Sequence, residues 1–303
     1  MVVDAGGTKT RLGALRAGEP LDVFTTFDSR RFEIAPAHAV LAEAVRDFAN
    51  THSLDPGHLV VGIPGMLDES REHISHCNNI SAFEGGALRS GLRRALGVPV
   101  TFEQDIMLQL LGERRAGIAR GHDSVFGVYF GTGIGSAWLR EGDPFLPRSG
   151  SLQAGHIPVA AEGRACKCGN SDCVEAYASG HTLRALAREH DVTLASLFSR
   201  RGDAELAREL DRFVTWQAFL LATVATLLEP DMIVIGGGIP LMSGYPRERL
   251  VEIARRQLQK PHPSESQRFG FATLAEHAPL HGALALLEAV GSGTAPGGGG
   301  LAS

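Results

Sequence analysis

Two strand–glycine–strand segments restrict the fold of this chain more than any other feature of its sequence. The first segment is VVDAGGTKTRLGAL (residues 2–15), and the second is SVFGVYFGTGIGSAWL (residues 124–139). In both, strand-like apolar residues flank a glycine turn, a pattern typical of a β-hairpin. A hairpin at the start of each half favours a duplicated architecture with a cleft between the halves. The two segments share few identical residues, so two unrelated hairpins remain the alternative.

The rest of the sequence alternates between strand-like and helix-like segments. Strands are predicted at 21–27, 58–64, 98–105 and 232–238, and helices at 35–52, 87–96, 106–120, 204–228, 246–260 and 278–290. The helices are indicated by apolar residues three and four positions apart, and the strands by short apolar runs next to glycine or proline. Such alternation predicts an α/β fold.

A length of 303 residues is enough for two domains of ordinary size. We predict a small N-terminal α/β domain over 1–105 and a larger α/β domain over 106–277. The helix at 278–290 is expected to pack back on the first domain. The glycine-rich tail, 291–303, has no apolar pattern and is predicted to be disordered.

Composition excludes some classes of function. The net charge of −5 disfavours nucleic acid and anionic membrane surfaces as partners. The sequence contains no run of 18 apolar residues, and its opening MVVDAGGTKT is neither a basic leader nor a signal core. Four cysteines are too few for a disulfide scaffold. We therefore expect a cytoplasmic enzyme.

Three glycine turns each follow a predicted strand and are candidate phosphate-binding loops. Glycine lets the backbone approach a ligand closely and point N–H groups at it, and Asp4 could orient a hydrated Mg²⁺. A plain hairpin turn is the alternative for any one of the three. The candidate nucleotide-binding residues are Asp4, Gly6, Gly7, Thr8, Lys9, Gly131, Thr132, Gly133, Gly135, Gly236, Gly237 and Gly238.

A histidine and three of the four cysteines are clustered in a pattern that indicates a metal site. His156, Cys166, Cys168 and Cys173 follow the spacing H-x9-C-x-C-x4-C. Four nitrogen and sulfur ligands fit a closed tetrahedral Zn²⁺ of the structural kind, which keeps no open position for catalysis. Three buried free thiols are the alternative. The spacing C-x-C differs from the C-x-x-C of nucleic-acid zinc ribbons and redox motifs.

The segments DAGGTKT, FGTGIGSAW and GH-x9-C-x-C-G-x-x-x-C-x-E together resemble the ROK family of sugar kinases, over residues 1 to about 290. The resemblance implies the two-domain actin/hexokinase-like (ribonuclease H-like) fold, in which ATP and a sugar bind in the cleft between two α/β domains. It implies ATP, Mg²⁺ and a structural Zn²⁺ as cofactors, a sugar as substrate, and a possible homodimer.

The resemblance also assigns roles to single residues. Asp105 matches the catalytic carboxylate, which accepts the proton of the sugar's 6-hydroxyl; a helix N-cap for 106–120 is its alternative. Asn79 and Glu175 match sugar ligands, and His156 matches a residue that binds zinc through one ring nitrogen and the sugar through the other.

Two positions depart from the family pattern. Gln104 stands where the family usually has Asn before the catalytic carboxylate, and Gln153 stands where the motif E-x-G-H has Glu. Both remain candidate sugar contacts. A glutamine carries no charge and donates as well as accepts hydrogen bonds, so Gln153 puts the preferred sugar in doubt.

The expected reaction is transfer of the γ-phosphoryl group of ATP to the 6-hydroxyl of an aldohexose. Segments such as EQDIMLQLL, CKCGNSDCVE and GYPRERL resemble bacterial D-allose kinases most, which makes D-allose the expected substrate. Glucokinase and N-acetylhexosamine kinase activities are the alternatives. A sugar-binding protein without turnover, or a regulatory ROK protein, is the alternative of a different class. Family repressors carry a DNA-binding domain ahead of the first strand, and this sequence begins at that strand.

Overall fold

The computed structural model describes residues 1–68, 70–77, 79–200 and 202–291. The strands are β1 (Val2–Ala5), β2 (Lys9–Arg16), β3 (Glu19–Asp28), β4 (Leu59–Ile63), β5 (Met66–Leu67), β6 (Ile74–His76), β7 (Val100–Gln104), β8 (Val125–Phe130), β9 (Ile134–Arg140), β10 (Asp143–Pro144), β11 (Met232–Gly236) and β12 (Arg268–Phe271). The α-helices are α1 (Ala37–Thr51), α2 (Ala87–Leu96), α3 (Asp105–Arg115), α4 (Val174–Ala178), α5 (Gly180–Glu189), α6 (Ala204–Leu228), α7 (Arg247–Arg256) and α8 (Ala278–Gly291).

Most elements agree with the sequence patterns. The predicted helices at 87–96 and 204–228 coincide with α2 and α6. The helix predicted over 106–120 ends earlier, at Arg115. Helices α4 and α5 were not predicted: α4 is only five residues long, and the helical spacing of Leu183, Leu186 and Ala187 in α5 was missed. The α/β class is confirmed.

Two five-stranded sheets have the same topology. Their strand orders are β3-β2-β1-β4-β7 and β10-β9-β8-β11-β12. In the first sheet, β1 pairs with β2 antiparallel and with β4 parallel, and β4 pairs with β7 parallel. In the second, β8 pairs with β9 antiparallel and with β11 parallel, and β11 pairs with β12 parallel. This repeated order supports the duplicated architecture that the two hairpins suggested.

The chain divides into two compact units. Unit 1 contains 1–120, 143–151 and 274–291 of the described residues, and unit 2 contains 121–142 and 152–273. The division differs from the boundary at 105/106 drawn from the sequence, because α3 packs against α8 and both belong to unit 1. Residues 292–303, most of the tail predicted to be disordered, lie outside the described residues.

Unit 1 is built around its sheet, with α3 contacting β4 and β7 and α8 contacting β1 and β2. Its core includes the fully buried Phe48, Phe83 and Phe102. The backbones of α3 and α8 approach closely at two glycines. A Cβ atom on Gly112 would overlap a carbonyl of α8, and one on Gly282 would overlap a carbonyl of α3. Glycine is therefore required at this helix crossing for steric reasons.

Unit 2 packs its sheet against the 25-residue helix α6. The carboxylate of Asp203 caps the start of α6 by accepting N–H groups from Glu205 and Leu206. In the middle of α6 the buried Gln217 donates to the Ala178 carbonyl at 3.2 Å, which joins α6 to α4. Helix α4 is thus held from the core side. Within the described ranges, none of the helices combines the length and the apolar character needed to cross a membrane.

The substitution Gly282→Ala tests the helix crossing. Alanine has the higher helix propensity, so an unconstrained site would gain up to about 1 kcal/mol. We expect instead a loss of about 1–3 kcal/mol in the free energy of unfolding, because the new methyl group overlaps backbone atoms of α3. Denaturant unfolding measures the change. The control is Gly57→Ala, where an added Cβ meets nothing within 4 Å; equal stability of the two variants would contradict the packing argument.

Candidate functional site

Two carboxylates lie at the carboxyl edge of the sheet in unit 1. Asp4 is the next-to-last residue of β1, and Asp105 directly follows β7. Strand β4 lies between them, and its Gly62 is paired with Asp4. A Cβ on Gly62 would lie 3.3 Å from the Asp105 Cα, so the glycine leaves room for the start of α3. Parallel strands of an α/β sheet bind ligands at this edge.

The electrostatics of the two carboxylates are coupled. Burial raises the pKa of Asp4 to about 6, and the Arg11 guanidinium opposes the increase. Burial also raises the pKa of Asp105 well above its usual value, and the negative charge of Asp4 raises it further. The N–H of Ile106, which donates to Asp105 Oδ1 at 2.8 Å, acts in the opposite direction. Like charges held close together each favour protonation of the other.

Asp105 is not the helix N-cap that the sequence left as an alternative. It is the first residue of α3, and the N-cap position is occupied by Gln104, which makes no capping hydrogen bond through its side chain. The Asp105 Oδ1 still satisfies one N–H at the helix start, that of Ile106, so Oδ2 is the oxygen that we consider for chemistry.

The first glycine turn joins β1 to β2. The Gly6 N–H donates to the Lys9 carbonyl at 3.0 Å and so closes the turn instead of pointing towards a ligand. Gly7, Thr8 and Lys9 form the exposed tip. The Asn79 side chain lies against this tip, because a Cβ on Gly7 would be 2.8 Å from the Asn79 Cβ. The structure therefore brings a predicted sugar ligand and a predicted phosphate-binding turn together within unit 1.

Gln104 has a different environment from the one the sequence suggested. It is buried, and its Nε2 donates to the carbonyls of Gly150 at 2.6 Å and Gly65 at 3.4 Å. Its backbone N–H donates to the buried carboxylate of Glu103 at 2.8 Å. The amide nitrogen thus holds two backbone segments beside Asp105, a supporting role that sequence reasoning missed.

The second glycine turn joins β8 to β9 in unit 2. Within it, the Gly131 N–H donates to the Gly133 carbonyl at 2.9 Å. The Glu175 carboxylate accepts the Ile134 N–H at 2.7 Å, and a Cβ on Gly133 would lie 2.5 Å from its Oε2. The Gly180 N–H donates to the Gly131 carbonyl at 2.8 Å. Glu175, predicted only as a sugar ligand, therefore also fastens this turn, in which Thr132 and Gly135 are partly buried.

The third glycine turn follows β11, next to β8 in the sheet. Gly237 has φ of +88°, and a Cβ there would overlap the backbone of Phe130. A Cβ on Gly236 would overlap the Tyr129 ring, whereas one on Gly238 would meet nothing within 4 Å. Because β8 and β11 are parallel neighbours, their two glycine turns lie at the same edge of the sheet.

The His–Cys cluster is assembled in unit 2. The ligand atoms of His156, Cys166, Cys168 and Cys173 all lie within 4.8 Å of one another. The Cys166 Sγ is 3.6 Å from His156 Nδ1, and the Sγ atoms of Cys168 and Cys173 are 3.7 Å apart. A tetrahedral Zn²⁺ with Zn–S near 2.3 Å requires about 3.8 Å between sulfurs and about 3.6 Å between sulfur and nitrogen. The residues present fit the ion.

The cysteine loop is held in shape by a carboxylate that the sequence analysis did not identify. Asp172 is buried, and it accepts N–H groups from Gly163 and Arg164 and the Tyr177 hydroxyl, at 2.9, 2.9 and 2.5 Å. The Tyr177 hydroxyl contributes most to lowering the pKa of Asp172. The sequence gives one weak signal of this role. An acidic residue lies between Cys168 and Cys173, and a tyrosine follows four residues after Cys173.

The remaining predicted sugar ligands are placed as follows. Asn79, Gln104 and Asp105 belong to unit 1, and Gln153, His156 and Glu175 belong to unit 2. Gln153 is exposed and precedes the single helical turn that contains His156. His156 directs Nδ1 towards the cysteines.

Comparisons with known proteins give one consistent result. The sequence profile described as "ROK family" matches residues 1–290. An N-acetyl-D-glucosamine kinase of Escherichia coli O127:H6 is 29% identical over 270 residues, which cover 82% of this chain and 87% of that protein. A glucokinase of Thermotoga maritima is 29% identical over 216 residues, which cover 63% and 68% of the two chains. A solved ROK family glucokinase from Streptomyces griseus, in complex with glucose and AMPPNP, has a TM-score of 0.77 at 25% identity and covers 93% of this chain and 96% of its own.

The raised pKa of Asp4 predicts a pH-dependent stability. Its folded-state pKa of about 6 lies above the ordinary 3.8, so the folded state binds the proton more tightly and stability falls as pH rises from about 4 to 6. We expect Asp4→Asn to raise the free energy of unfolding at pH 7 by ~1–3 kcal/mol and to have little effect below pH 4. Denaturant unfolding across this range, without Mg²⁺ or ATP, measures it. Asp55→Asn, at an exposed position, is the control; a destabilised Asp4→Asn at pH 7 would refute the expectation.

The cysteine cluster predicts the metal content of the purified protein. We expect about one zinc per chain in the wild type and almost none in Cys168→Ser, with a lower unfolding temperature, because a structural zinc contributes to folding. Elemental analysis and calorimetry measure both. Cys77→Ser, the same substitution at a cysteine outside the cluster, should keep the metal. If elemental analysis finds no zinc in the purified wild-type protein, the result would count against the site.

Proposed function

The chain belongs to the ROK family, and from this premise we propose that it transfers the γ-phosphoryl group of ATP to the 6-hydroxyl of an aldohexose. Its relatives are named sugar kinases, and the chain is a carbohydrate kinase. The predicted two-domain actin/hexokinase-like fold class is confirmed by the likeness to solved ROK enzymes.

One observation carries the proposed reaction. At a single edge of the sheet in unit 1, a partly buried carboxylate with a raised pKa, Asp105, accompanies the glycine turn on which Asn79 packs. A proton acceptor, a sugar-binding amide and a phosphate-binding turn are the three groups that transfer to an alcohol requires. Groups preassembled in this way lower the entropic barrier of reaction.

Asp105 would accept the proton of the 6-hydroxyl as its oxygen attacks the γ-phosphorus. Phosphoryl transfer proceeds through a loose transition state, so aiming the hydroxyl matters more than the strength of the base. The raised pKa of Asp105 nevertheless makes it a better acceptor than an ordinary carboxylate near neutral pH. The Gln104 amide supports this position by holding the backbone at Gly65 and Gly150.

The nucleotide would be held by the glycine turns. In unit 1, the exposed tip formed by Gly7, Thr8 and Lys9 offers N–H groups, a hydroxyl and an ammonium group to the phosphates. Asp4 is the residue that would hold hydrated Mg²⁺, which when bound supplies positive charge to the phosphate oxygens. In unit 2, the turns at 131–135 and 236–238 share one sheet edge and are the candidate phosphate-binding turns of that unit.

Zinc has a structural part in this proposal. The four ligands of the cluster fit the ion and leave no open position, so no chemical step is assigned to it. His156 faces the cysteines through Nδ1, which leaves its other ring nitrogen, Nε2, as the atom that we assign to the sugar.

The identity of the sugar is the finer part of the proposal. D-Allose remains the prediction from sequence, and the names of the relatives support N-acetyl-D-glucosamine and glucose as the alternatives. Gln153, which replaces the family's glutamate, is the residue expected to alter the choice, because it offers a donor where a carboxylate only accepts. Dimerisation and a cytoplasmic location also remain predictions.

A coupled ADP-release assay with D-allose, glucose, N-acetylglucosamine and N-acetylmannosamine tests the function. We expect turnover with at least one sugar. Asp105→Asn should lower kcat by about 10²–10⁴-fold, because the proton acceptor is lost, and should keep sugar binding measurable by calorimetry.

The exposed Asp55→Asn serves as the matched control and should retain wild-type kcat. Sugar binding without ADP release in the wild type would favour a non-catalytic sugar-binding protein. Near-normal kcat in Asp105→Asn would remove Asp105 as the base.

A further inference from the structure

The first glycine turn is anchored by a residue from outside its own hairpin. Ser29 directly follows β3 and lies beside the turn between β1 and β2. Its backbone N–H donates to the Thr8 carbonyl at 3.1 Å, and its Oγ donates to the Gly6 carbonyl at 2.7 Å. Ser29 therefore holds the carbonyls of two turn residues at once.

A second hydroxyl orients the first. The Oγ atoms of Ser29 and Thr10 are 3.0 Å apart. A serine hydroxyl has one proton, and that of Ser29 is directed to the Gly6 carbonyl, so Thr10 must be the donor between the two hydroxyls. The result is a chain of hydrogen bonds from Thr10 through Ser29 to the turn.

Both hydroxyls are shielded from water. Thr10 is 0% exposed and Ser29 is 5% exposed. Removing one partner of a buried hydrogen bond leaves the other unsatisfied, which costs more than the bond itself contributes. The Gly6 carbonyl lies in a half-buried residue, so without the Ser29 hydroxyl it would lose a fixed partner and the turn would be less well ordered.

The anchoring leaves the ligand-facing tip unobstructed. Gly6 is held at both polar groups, its N–H by the Lys9 carbonyl and its carbonyl by Ser29. Gly7, Thr8 and Lys9 remain exposed between these fixed points. A loop fixed at its base before the ligand arrives loses less conformational entropy on binding.

We propose that Ser29, oriented by Thr10, is a positioning residue for the nucleotide phosphates: it sets the conformation of the 6–9 turn without contacting the nucleotide. The inference rests on the proposed function, in which this turn binds the phosphates of ATP. Nothing in the sequence motif DAGGTKT includes Ser29, which lies 20 residues beyond Lys9 and reaches the turn only through the pairing of β2 with β3.

The test compares Ser29→Ala and Thr10→Val with the control Thr101→Val. Thr101 also makes a side-chain hydrogen bond, at 2.9 Å to His58, but it lies near the opposite end of β7 from Asp105. The readouts are KM for ATP, KM for the sugar, kcat, and calorimetric binding of Mg·ADP, all measured well below the unfolding temperature of each variant.

We expect Ser29→Ala to raise KM for ATP and Kd for Mg·ADP about tenfold, and Thr10→Val about threefold, with KM for the sugar unchanged within twofold. Thr101→Val should change none of these constants. If Ser29→Ala lowers the unfolding temperature but leaves KM for ATP and Kd for Mg·ADP unchanged, the proposal is overturned, because the hydroxyl then has only a structural role.

The experiment separates this inference from the proposed function. A wild type that binds Mg·ADP but phosphorylates no sugar would refute the proposed reaction, and the binding constants of the variants would still decide the role of Ser29. Parallel increases of KM for ATP and KM for the sugar in Ser29→Ala would overturn the positioning role of Ser29, since they would indicate general damage to unit 1. A wild type with no affinity for Mg·ADP would overturn both.

Discussion

Two carboxylates held close together at the edge of a parallel sheet are the constraint on which unit 1 depends. Asp4 lies near the end of β1 and Asp105 directly follows β7, on either side of Gly62 in β4, and the sheet order β1-β4-β7 fixes their separation. Burial raises the pKa of both carboxyl groups, and the charge of Asp4 raises the pKa of Asp105 further, so a negative charge at this site opposes the unliganded fold. The Mg²⁺ proposed at Asp4 would offset this negative charge, and the proposed sugar hydroxyl would donate to Asp105. The energetic penalty in the unliganded protein is thus a sign of function.

Both glycine hairpins are fastened from outside, and by similar means. In unit 1, Ser29 binds the turn between β1 and β2, and Thr10 orients the Ser29 hydroxyl. In unit 2, Glu175 accepts an N–H of the turn between β8 and β9, and the backbone of Gly180 binds its Gly131 carbonyl. The repeated topology therefore extends to the way each turn is supported. A turn rich in glycine has high conformational entropy, so it needs such contacts to be preorganised.

The cysteine cluster has a second consequence once the structure is considered. Cys173 immediately precedes α4, and α4 carries Glu175, which reaches the glycine turn of unit 2. Asp172, on the other side of Cys173, holds the loop through Gly163, Arg164 and Tyr177. A metal bound by this segment would thus be connected through adjacent residues to a phosphate-binding candidate, and it would be held by His156, the predicted sugar ligand.

The sequence alone determined the α/β class, the two hairpins, the long helix α6 and the clustering of four candidate metal ligands, because periodicity and residue spacing are local properties. It could not determine that α3 joins unit 1, since the glycine contacts between α3 and α8 involve residues far apart in the chain. It also could not assign Ser29, Gln104 or Asp172, whose roles come from partners brought near by strand pairing and loop closure. Common polar residues carry no motif, and only tertiary structure decides which buried backbone group each one satisfies.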